Sequence, residues 1–301
     1  MEKIKIPSKQ IRLILNWECN AKCSYCWKEC QDDFSRSIKD YELWQNFLSQ
    51  LFKNVEYIER ISLSGGEPLL FSYLPEICEI CSTYAKRVTL TTNGSIPSMV
   101  DRVARHIDEI HFSVDSLDKK KYKKIKGLNI DKVLESIKIA KERRLKIRIN
   151  TVMNDGLISL QDIKNLQKFC RGNKLTLSLV KPFLAESNLL KQSVKFFESQ
   201  GYKKKEGKRR FILKNNNDEI QVVYCICDWV LLFNKEKEMT CMRNNSLFIN
   251  YKFEALPCLL DRRFTQLFDF KNKKLLIQNL RSAIKIEKCL VDKYVRNRRA
   301  I

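Results

Sequence analysis

Histidine is nearly absent from this 301-residue chain: His106 and His111 are its only two. That scarcity argues against a histidine-rich zinc site and against catalysis centred on imidazole. No apolar stretch approaches the ~20 residues that a membrane helix needs. The first residues, Met1-Glu2-Lys3-Ile4-Lys5-Ile6-Pro7, lack the apolar core of a secretory signal. A cytoplasmic protein without membrane contact is expected. Acidic residues are also scarce, 35 Asp and Glu against 57 Lys and Arg, for a net charge of +22. A field of that sign attracts phosphates, nucleic acid or an acidic partner. The charge is concentrated in Lys119–Lys124, in the run from Lys203 to Arg210 and in Arg296–Arg299. None of these runs carries the interleaved aromatics on which single-stranded bases stack. Solvated faces explain them as well as RNA does, and nucleic acid is not the expected partner.

What is abundant is cysteine, with twelve residues. In a small secreted protein that number would indicate disulfides; in a large lysine-rich chain it points to metal binding or to buried, reduced thiols. Three of the twelve, Cys19, Cys23 and Cys26, fall within eight residues in a C-x3-C-x2-C spacing, directly after the apolar run Ile11–Leu15. Three thiolates on one loop can serve one metal centre, and soft sulfur donors favour iron–sulfur clusters, zinc or copper(I). A structural zinc knuckle is the plain alternative. Zinc sites usually show paired C-x2-C units with a fourth Cys or His nearby, and only one such pair occurs here.

The first half of the chain alternates strand-like and helix-like segments. Strands are expected at Ile11–Leu15, Ile58–Leu63, Arg87–Thr92, Glu109–Val114, Lys146–Val152 and Leu175–Val180. Helices are expected between them at Tyr41–Phe52, Tyr73–Ala85, Pro97–Arg105, Asp131–Arg143 and Leu160–Phe169. Such alternation predicts parallel strands with right-handed crossovers. Six units are fewer than the eight of a closed barrel, so an α/β fold is expected, a partial (β/α)6 TIM-like barrel over residues 1–182. The chemically loaded loops all follow strands: the cysteine loop, then Ser64-Gly65-Gly66-Glu67-Pro68, Thr91-Thr92-Asn93-Gly94, Ser113-Val114-Asp115-Ser116 and Asn150-Thr151. That places them at one mouth.

From Lys181 the alternation stops. Residues 183–301 read as a smaller β-rich domain, with a helix at Leu189–Gln200, a hairpin of Arg210–Leu213 and Ile220–Tyr224, and a helical tail at Lys274–Glu287. This part carries Cys225, Cys227, Cys241 and Cys258. Leu232–Cys241 and Ile249–Cys258 echo each other, which suggests two hairpins presenting thiolates at equivalent ends. Four thiolates there could hold a second metal centre, with Cys289 a competing ligand; a zinc site or separate buried cysteines are the alternatives. Cys78 and Cys81, one helical turn apart, and Cys170 read as core.

The C-x3-C-x2-C spacing, with the aromatic Tyr25 before the third cysteine, resembles the signature of the radical S-adenosylmethionine (SAM) enzymes. Gly65-Gly66-Glu67-Pro68, in the next βα unit, resembles the segment that runs beside the SAM methionyl group in that family. The resemblance implies the partial barrel again, and a [4Fe–4S] cluster held by Cys19, Cys23 and Cys26 with one iron open to SAM. It also implies reductive cleavage of SAM to a 5′-deoxyadenosyl radical that abstracts hydrogen from a peptide or small-molecule substrate. An electron donor such as flavodoxin or ferredoxin is the implied partner.

Within the family, Arg12–Leu15, Thr91–Gly94, Ser113–Asp118 and Arg148–Val152 look like the GTP 3′,8-cyclases of molybdenum-cofactor biosynthesis, as does the thirteen-residue gap between Cys227 and Cys241. Carried over, Tyr25, Gly65, Gly66, Glu67, Pro68 and Ser113 would bind SAM, and Arg12, Thr91 and Arg148 would face the substrate. Cys225, Cys227 and Cys241, with Cys258 as a fourth ligand, would hold a second [4Fe–4S] cluster. The chain also departs from the cyclases. Cys225-Ile226-Cys227 replaces a C-x2-C pair, Asp228-Trp229-Val230-Leu231 stands where they carry two phosphate-binding arginines, and Ser62 replaces a third. Each lost cationic donor forfeits charge-assisted bonds worth ~1.5–3 kcal/mol. The expected function is therefore radical SAM chemistry on another substrate. A nucleotide cyclase, and then a non-enzymatic zinc or nucleic-acid-binding protein, are the alternatives. Asp115 is placed to orient the SAM ribose or the substrate, or to cap a helix; Trp17 and Trp27 flank the cysteine loop and would shield it.

Overall fold

Alternation of apolar and polar residues, as in Gln10-Ile11-Arg12-Leu13-Ile14, builds the strands on which the fold rests. The structure, a computed structural model, describes residues 3–6, 9–26, 37–182, 187–206, 210–216, 218–223, 246–256, 265–269 and 271–284. Six strands pair in parallel in chain order: β1 (Gln10–Ile14), β2 (Arg60–Ser64), β3 (Val88–Thr92), β4 (Glu109–Ser113), β5 (Lys146–Val152) and β6 (Thr176–Val180). Between them run α1 (Tyr41–Asn54), α2 (Leu74–Tyr84), α3 (Pro97–Val103), α4 (Lys119–Lys126), α5 (Ile130–Glu142) and α6 (Leu160–Asn173). Local chemistry sets the helix starts. Asp40, Asp118 and Asn129 accept first-turn amides, and Ser159 with Asp162 forms a reciprocal capping box on α6.

One face of the strands is apolar and buried with the helices, through Leu13, Leu63, Leu90, Ile110 and Ile149. The other face is polar, which is unusual for parallel strands covered on both sides. Strand register lines its residues up in rows. Arg12, Ser62, Thr89 and Glu109 form one row, and Thr91, His111, Arg148 and Thr176 form the next. Ser113, Asn150, Ser178 and Gln221 form the row nearest the mouth. The six expected parallel strands and the partial (β/α) barrel are present.

Beyond Lys181 the parallel sheet does not stop. After α7 (Asn188–Ser199), β9 (Glu219–Val223) joins β6 in parallel, and β7 (Lys203–Glu206) and β8 (Arg210–Lys214) follow it antiparallel. At the other edge, β10 (Ser246–Ile249) joins β1 in parallel, followed by antiparallel β11 (Glu254–Leu256) and β12 (Thr265–Gln266). The order among the described strands is β12-β11-β10-β1-β2-β3-β4-β5-β6-β9-β8-β7. The expected hairpin of Arg210–Leu213 with Ile220–Tyr224 is β8–β9. The described part of the Ile249–Cys258 segment holds the last residue of β10, the turn and β11, and the helical tail is α8 (Leu276–Ile284). Leu232–Cys241, Cys225, Cys227, Cys258, Cys289, Cys30 and Trp27 lie outside the described residues. Three elements were not expected: α4 and β7, both hidden inside lysine runs, and the two-residue strand β12.

Candidate functional site

The cysteine loop leaves β1 and is zipped by backbone bonds to the loop that leaves β2. Leu15 N–H donates to Ser64 O (2.8 Å), Gly66 N–H to Asn16 O (2.8 Å) and Glu67 N–H to Glu18 O (2.7 Å). The Asn16 side-chain amide adds bonds to Glu67 O (2.9 Å) and Glu18 O (3.2 Å). The two glycines are required by this contact. A Cβ on Gly65 would sit 2.2 Å from Asn16 Oδ1, and one on Gly66 would sit 2.2 Å from Trp17 O and 2.3 Å from Glu18 O. Neither glycine is at positive φ, so close approach rather than backbone freedom is what they supply here.

Glu67 extends the tie to the third loop. Its side chain is buried, and its carboxylate accepts the Thr92 hydroxyl (2.5 Å), the Asn93 amide (2.6 Å) and the Leu69 amide (2.9 Å). Burial pushes the carboxyl up to about 7, against those three bonds, which favour the ionised form. Asn93 in turn donates to Asn20 Oδ1 on the cysteine loop (2.9 Å). Pro68 begins a single 3-10 turn for which Glu67 is the cap.

The far side of the cysteine loop is held by a buried charge pair that sequence reasoning missed. Lys126 Nζ lies 3.0 Å from Asp115 Oδ2, with the two side chains 3% and 1% exposed. Tyr25 donates its hydroxyl to the same carboxylate, and Lys126 Nζ stands 5.3 Å from the Tyr25 ring centroid. Asp115 Oδ1 also accepts the Val152 amide (3.0 Å). Burial opposes the Lys126 charge, but Asp115 and the Cys23 sulfur outweigh it and raise its pKa. Burial first, and then Asp115, raise the Tyr25 pKa and keep its hydroxyl protonated. Asp115 is thus an anchor for the loop; the cap of the following helix is Asp118. Lys126 O accepts the Lys22 amide (2.8 Å), a second tie from α4 to the loop.

Cys19 and Cys26 are exposed and Cys23 is half-buried, all as free thiols. Burial raises Cys19, and Glu67, Cys23 and Cys26 add to it; burial also raises Cys23, while Lys126 works the other way. Burial above all therefore favours the protonated form of Cys19 and Cys23 until a cation binds. Ala21 N–H donates to Cys19 Sγ (3.4 Å), and two buried polar atoms nearby, Asn16 Oδ1 and Tyr122 Oη, have no hydrogen-bond partner. Among the described residues no three His, Cys, Asp or Glu side chains converge as a single-ion site requires. A cube cluster does not need that, because each thiolate binds a different iron corner. The donor set and its spacing fit an iron–sulfur cluster better than one zinc ion.

The residues expected to face a substrate lie on the polar face of the sheet. Arg12 Nε donates to Ser64 Oγ (3.1 Å), and Arg148 Nη2 to Glu109 Oε1 (2.6 Å). His111 Nε2 is 3.0 Å from the same Glu109 oxygen, and Thr91 pairs with His111 in register. Burial raises the Glu109 carboxyl, but His111 and Arg148 win and hold it down at about 2; burial lowers His111. Arg148 Nε and Ser178 Oγ are buried on this face without a partner. Ser113 closes β4 beside Asn150. Trp17 is half-buried against Ile14 and Tyr251. Cys78, Cys81 and Cys170 are buried in the core, and burial raises all three thiols, Cys170 to about 12.

A partial parallel barrel whose first loop offers three thiols, locked to a Gly-Gly-Glu-Pro turn, defines a class of cluster-binding α/β proteins. The model of the radical SAM superfamily matches residues 18–170, and the chain belongs to that superfamily. Membership implies SAM and a [4Fe–4S] cluster as cofactors. A Pyrococcus horikoshii protein named probable GTP 3′,8-cyclase is 30% identical over 179 residues, 58% of this chain and 56% of that protein. A Methanococcus aeolicus protein of the same name is 27% identical over 295 residues, 94% of this chain and 93% of that one. The chain thus spans little more than half the length of the Pyrococcus relative. Streptococcus suis SuiB bound to SAM shares the fold, with a TM-score of 0.68 at 18% identity over 91% of this chain and 66% of that one. No described helix is long and apolar enough to cross a membrane.

Proposed function

We propose that the chain is a radical SAM enzyme in which Cys19, Cys23 and Cys26 hold the SAM-binding [4Fe–4S] cluster. The observation that carries this reading is the backbone zipper joining the three-thiol loop to Gly65-Gly66-Glu67-Pro68. When bound, the cluster and SAM supply a 5′-deoxyadenosyl radical that abstracts a substrate hydrogen. The chain's own residues position and protect. Asp115, Lys126 and Tyr25 fix the outer side of the loop, and Glu67 fixes the inner side. The half-buried backbone of Gly65 and Gly66 and the end of β4 at Ser113 line the mouth, where SAM would lie; Tyr25 keeps its ring and backbone for that role because its hydroxyl is taken. Arg12, Thr91 and Arg148, on the polar face, favour a polar substrate, either a peptide or a small molecule.

Residues 1–182 carry the SAM chemistry in this reading, and 183–301 an extension with a second [4Fe–4S] cluster on Cys225, Cys227, Cys241 and Cys258. Four cysteines within 34 residues of sequence support that cluster. Its role would be electron transfer or support, since a fourth thiolate closes it to substrate. Anaerobic reconstitution tests both parts. About eight irons per chain, with 5′-deoxyadenosine formed under dithionite, is the expected result; loss of 5′-deoxyadenosine on replacing Cys19, Cys23 and Cys26 by Ala locates the first cluster. Zinc in place of iron, or 5′-deoxyadenosine from the triple variant, overturns the reading. A nucleotide-cyclase reading is favoured by the full-length match to the Methanococcus aeolicus protein. Ser62 counts against it, standing in place of a phosphate-binding arginine and accepting the Thr89 hydroxyl (3.0 Å). Turnover of GTP to a cyclised product would select it.

A further inference from the structure

Several exposed cations on the helices pair with a nearby carboxylate. Lys119 pairs with Asp131 (2.8 Å), Lys132 with Glu135 (3.0 Å), Lys138 with Glu142 (3.9 Å) and Arg143 with Asp101 (2.7 Å). The outer face of α4 is different. Lys120, Lys123 and Lys124 are exposed at i, i+3 and i+4, in one stripe, and no carboxylate among the described residues pairs with any of them. Lys22 on the cysteine loop, also exposed and with no carboxylate partner among the described residues, prolongs the stripe. Its amide is bonded to Lys126 O, and its side chain lies 3.7 Å from where a Cβ on Gly127 would be. Like charges at these spacings destabilise a helix, so the stripe is a cost that a negative partner relieves.

The inner face of the same helix carries Tyr122 and Lys126, which sit against Asp115 and Cys23. A helix with its side chains is about 10–12 Å across, so Lys120, Lys123 and Lys124 lie across two helical turns from the thiol loop, while Lys22 belongs to the loop itself. Each SAM cleavage takes up one electron, which a carrier has to deliver close to that loop. We infer that Lys22, Lys120, Lys123 and Lys124 form the docking surface for an acidic one-electron carrier protein, which is oxidised by one electron as the cluster is reduced. The inference rests on the cluster reading of Cys19, Cys23 and Cys26. RNA fits less well: the only aromatic of α4, Tyr122, is buried, which leaves no platform for base stacking.

The test uses the full reconstituted chain and a photoreduced acidic flavodoxin as probe. In Lys120→Glu/Lys123→Glu/Lys124→Glu, cluster reduction by flavodoxin should slow by about tenfold or more at low salt. The affinity of oxidised flavodoxin, measured by calorimetry, should fall in parallel. Reduction by dithionite should be unchanged. Lys203→Glu/Lys205→Glu/Lys214→Glu, with the same change in net charge at the far edge of the sheet, should behave like wild type. Unchanged flavodoxin kinetics in the α4 variant, an equal loss with dithionite, or an equal loss in the control variant overturns the docking surface while leaving the cluster reading intact. So does loss of polyuridylate binding alone. A wild-type chain that dithionite cannot reduce, or that forms no 5′-deoxyadenosine, overturns the cluster reading and the docking surface with it.

Discussion

Lys126 shows how much one buried charge can organise. Its ammonium meets Asp115 and the face of Tyr25 while its own backbone oxygen takes the Lys22 amide. Lys126→Met leaves a carboxylate buried without its cation, a change that costs ~3–5 kcal/mol in buried pairs. Denaturant unfolding should show a loss of that order, part of which Lys126→Arg restores; an unchanged midpoint for Met would remove the pair from the account of the loop. Glu109 makes a pH-dependent contribution. Its folded pKa of about 2 lies below the ordinary value of 4.5, so the ionised form stabilises the fold at and above pH ~4.5, and that contribution disappears as pH falls through ~2. The partner bond to Arg148 is charge-assisted and worth ~1.5–3 kcal/mol. Glu109→Gln should therefore be destabilised at pH 6, with the gap to wild type narrowing from pH ~4.5 down to ~2. A gap that stays constant over that range would sink the assignment.

At the scale of the element, α4 is the instructive case. Six of its eight residues are lysine, and only Tyr122 and Ile125 break the run with apolar side chains, too few to show a helical period. The run therefore reads as a solvated charge cluster, and its one buried lysine cannot be told from its five neighbours. The helix exists because Asp118 caps its start, Gly127 ends it at φ +72°, and Tyr122, Ile125 and Lys126 find buried partners supplied by other elements. By contrast, the cysteine loop and the Gly-Gly-Glu-Pro turn were legible, because their spacing is local and their residue types are few. The pairing of β9 with β6 and of β10 with β1 was not, since it is decided across long stretches of chain. Gly127→Ala forces a Cβ into a left-handed conformation at a cost of ~1–2 kcal/mol. Because α4 holds the loop through Lys22 and Lys126, amide hydrogen exchange over residues 19–26 should quicken in this variant. Faster exchange confined to α4 would mean that the two do not move together.

At the scale of the whole molecule, the division of chemistry proposed near residue 182 does not coincide with a break in packing. Trp44 and Phe47 of α1 meet Phe253 at 4.7 and 4.3 Å between ring centroids, and Phe47 meets Phe268 at 5.8 Å. Phe253 holds a positive φ of 59°, costly for a bulky residue, and its fully buried ring in this aromatic cluster offsets that strain. The sheet likewise runs through β1 into β10 and through β6 into β9. Residues 1–182 expressed alone would lose both of these neighbours, leaving two parallel strands with open edges, a template for aggregation. They would also lose Phe253 and Phe268, the rings that cover Trp44 and Phe47, each worth ~1.5–3 kcal/mol when fully buried. Such a fragment should sediment as aggregate, or show red-shifted tryptophan emission and a melting point far below that of the full chain. A monomeric fragment that unfolds cooperatively near the full-length temperature would instead make the first 182 residues an independent barrel, with the extension an addition to a fold already complete.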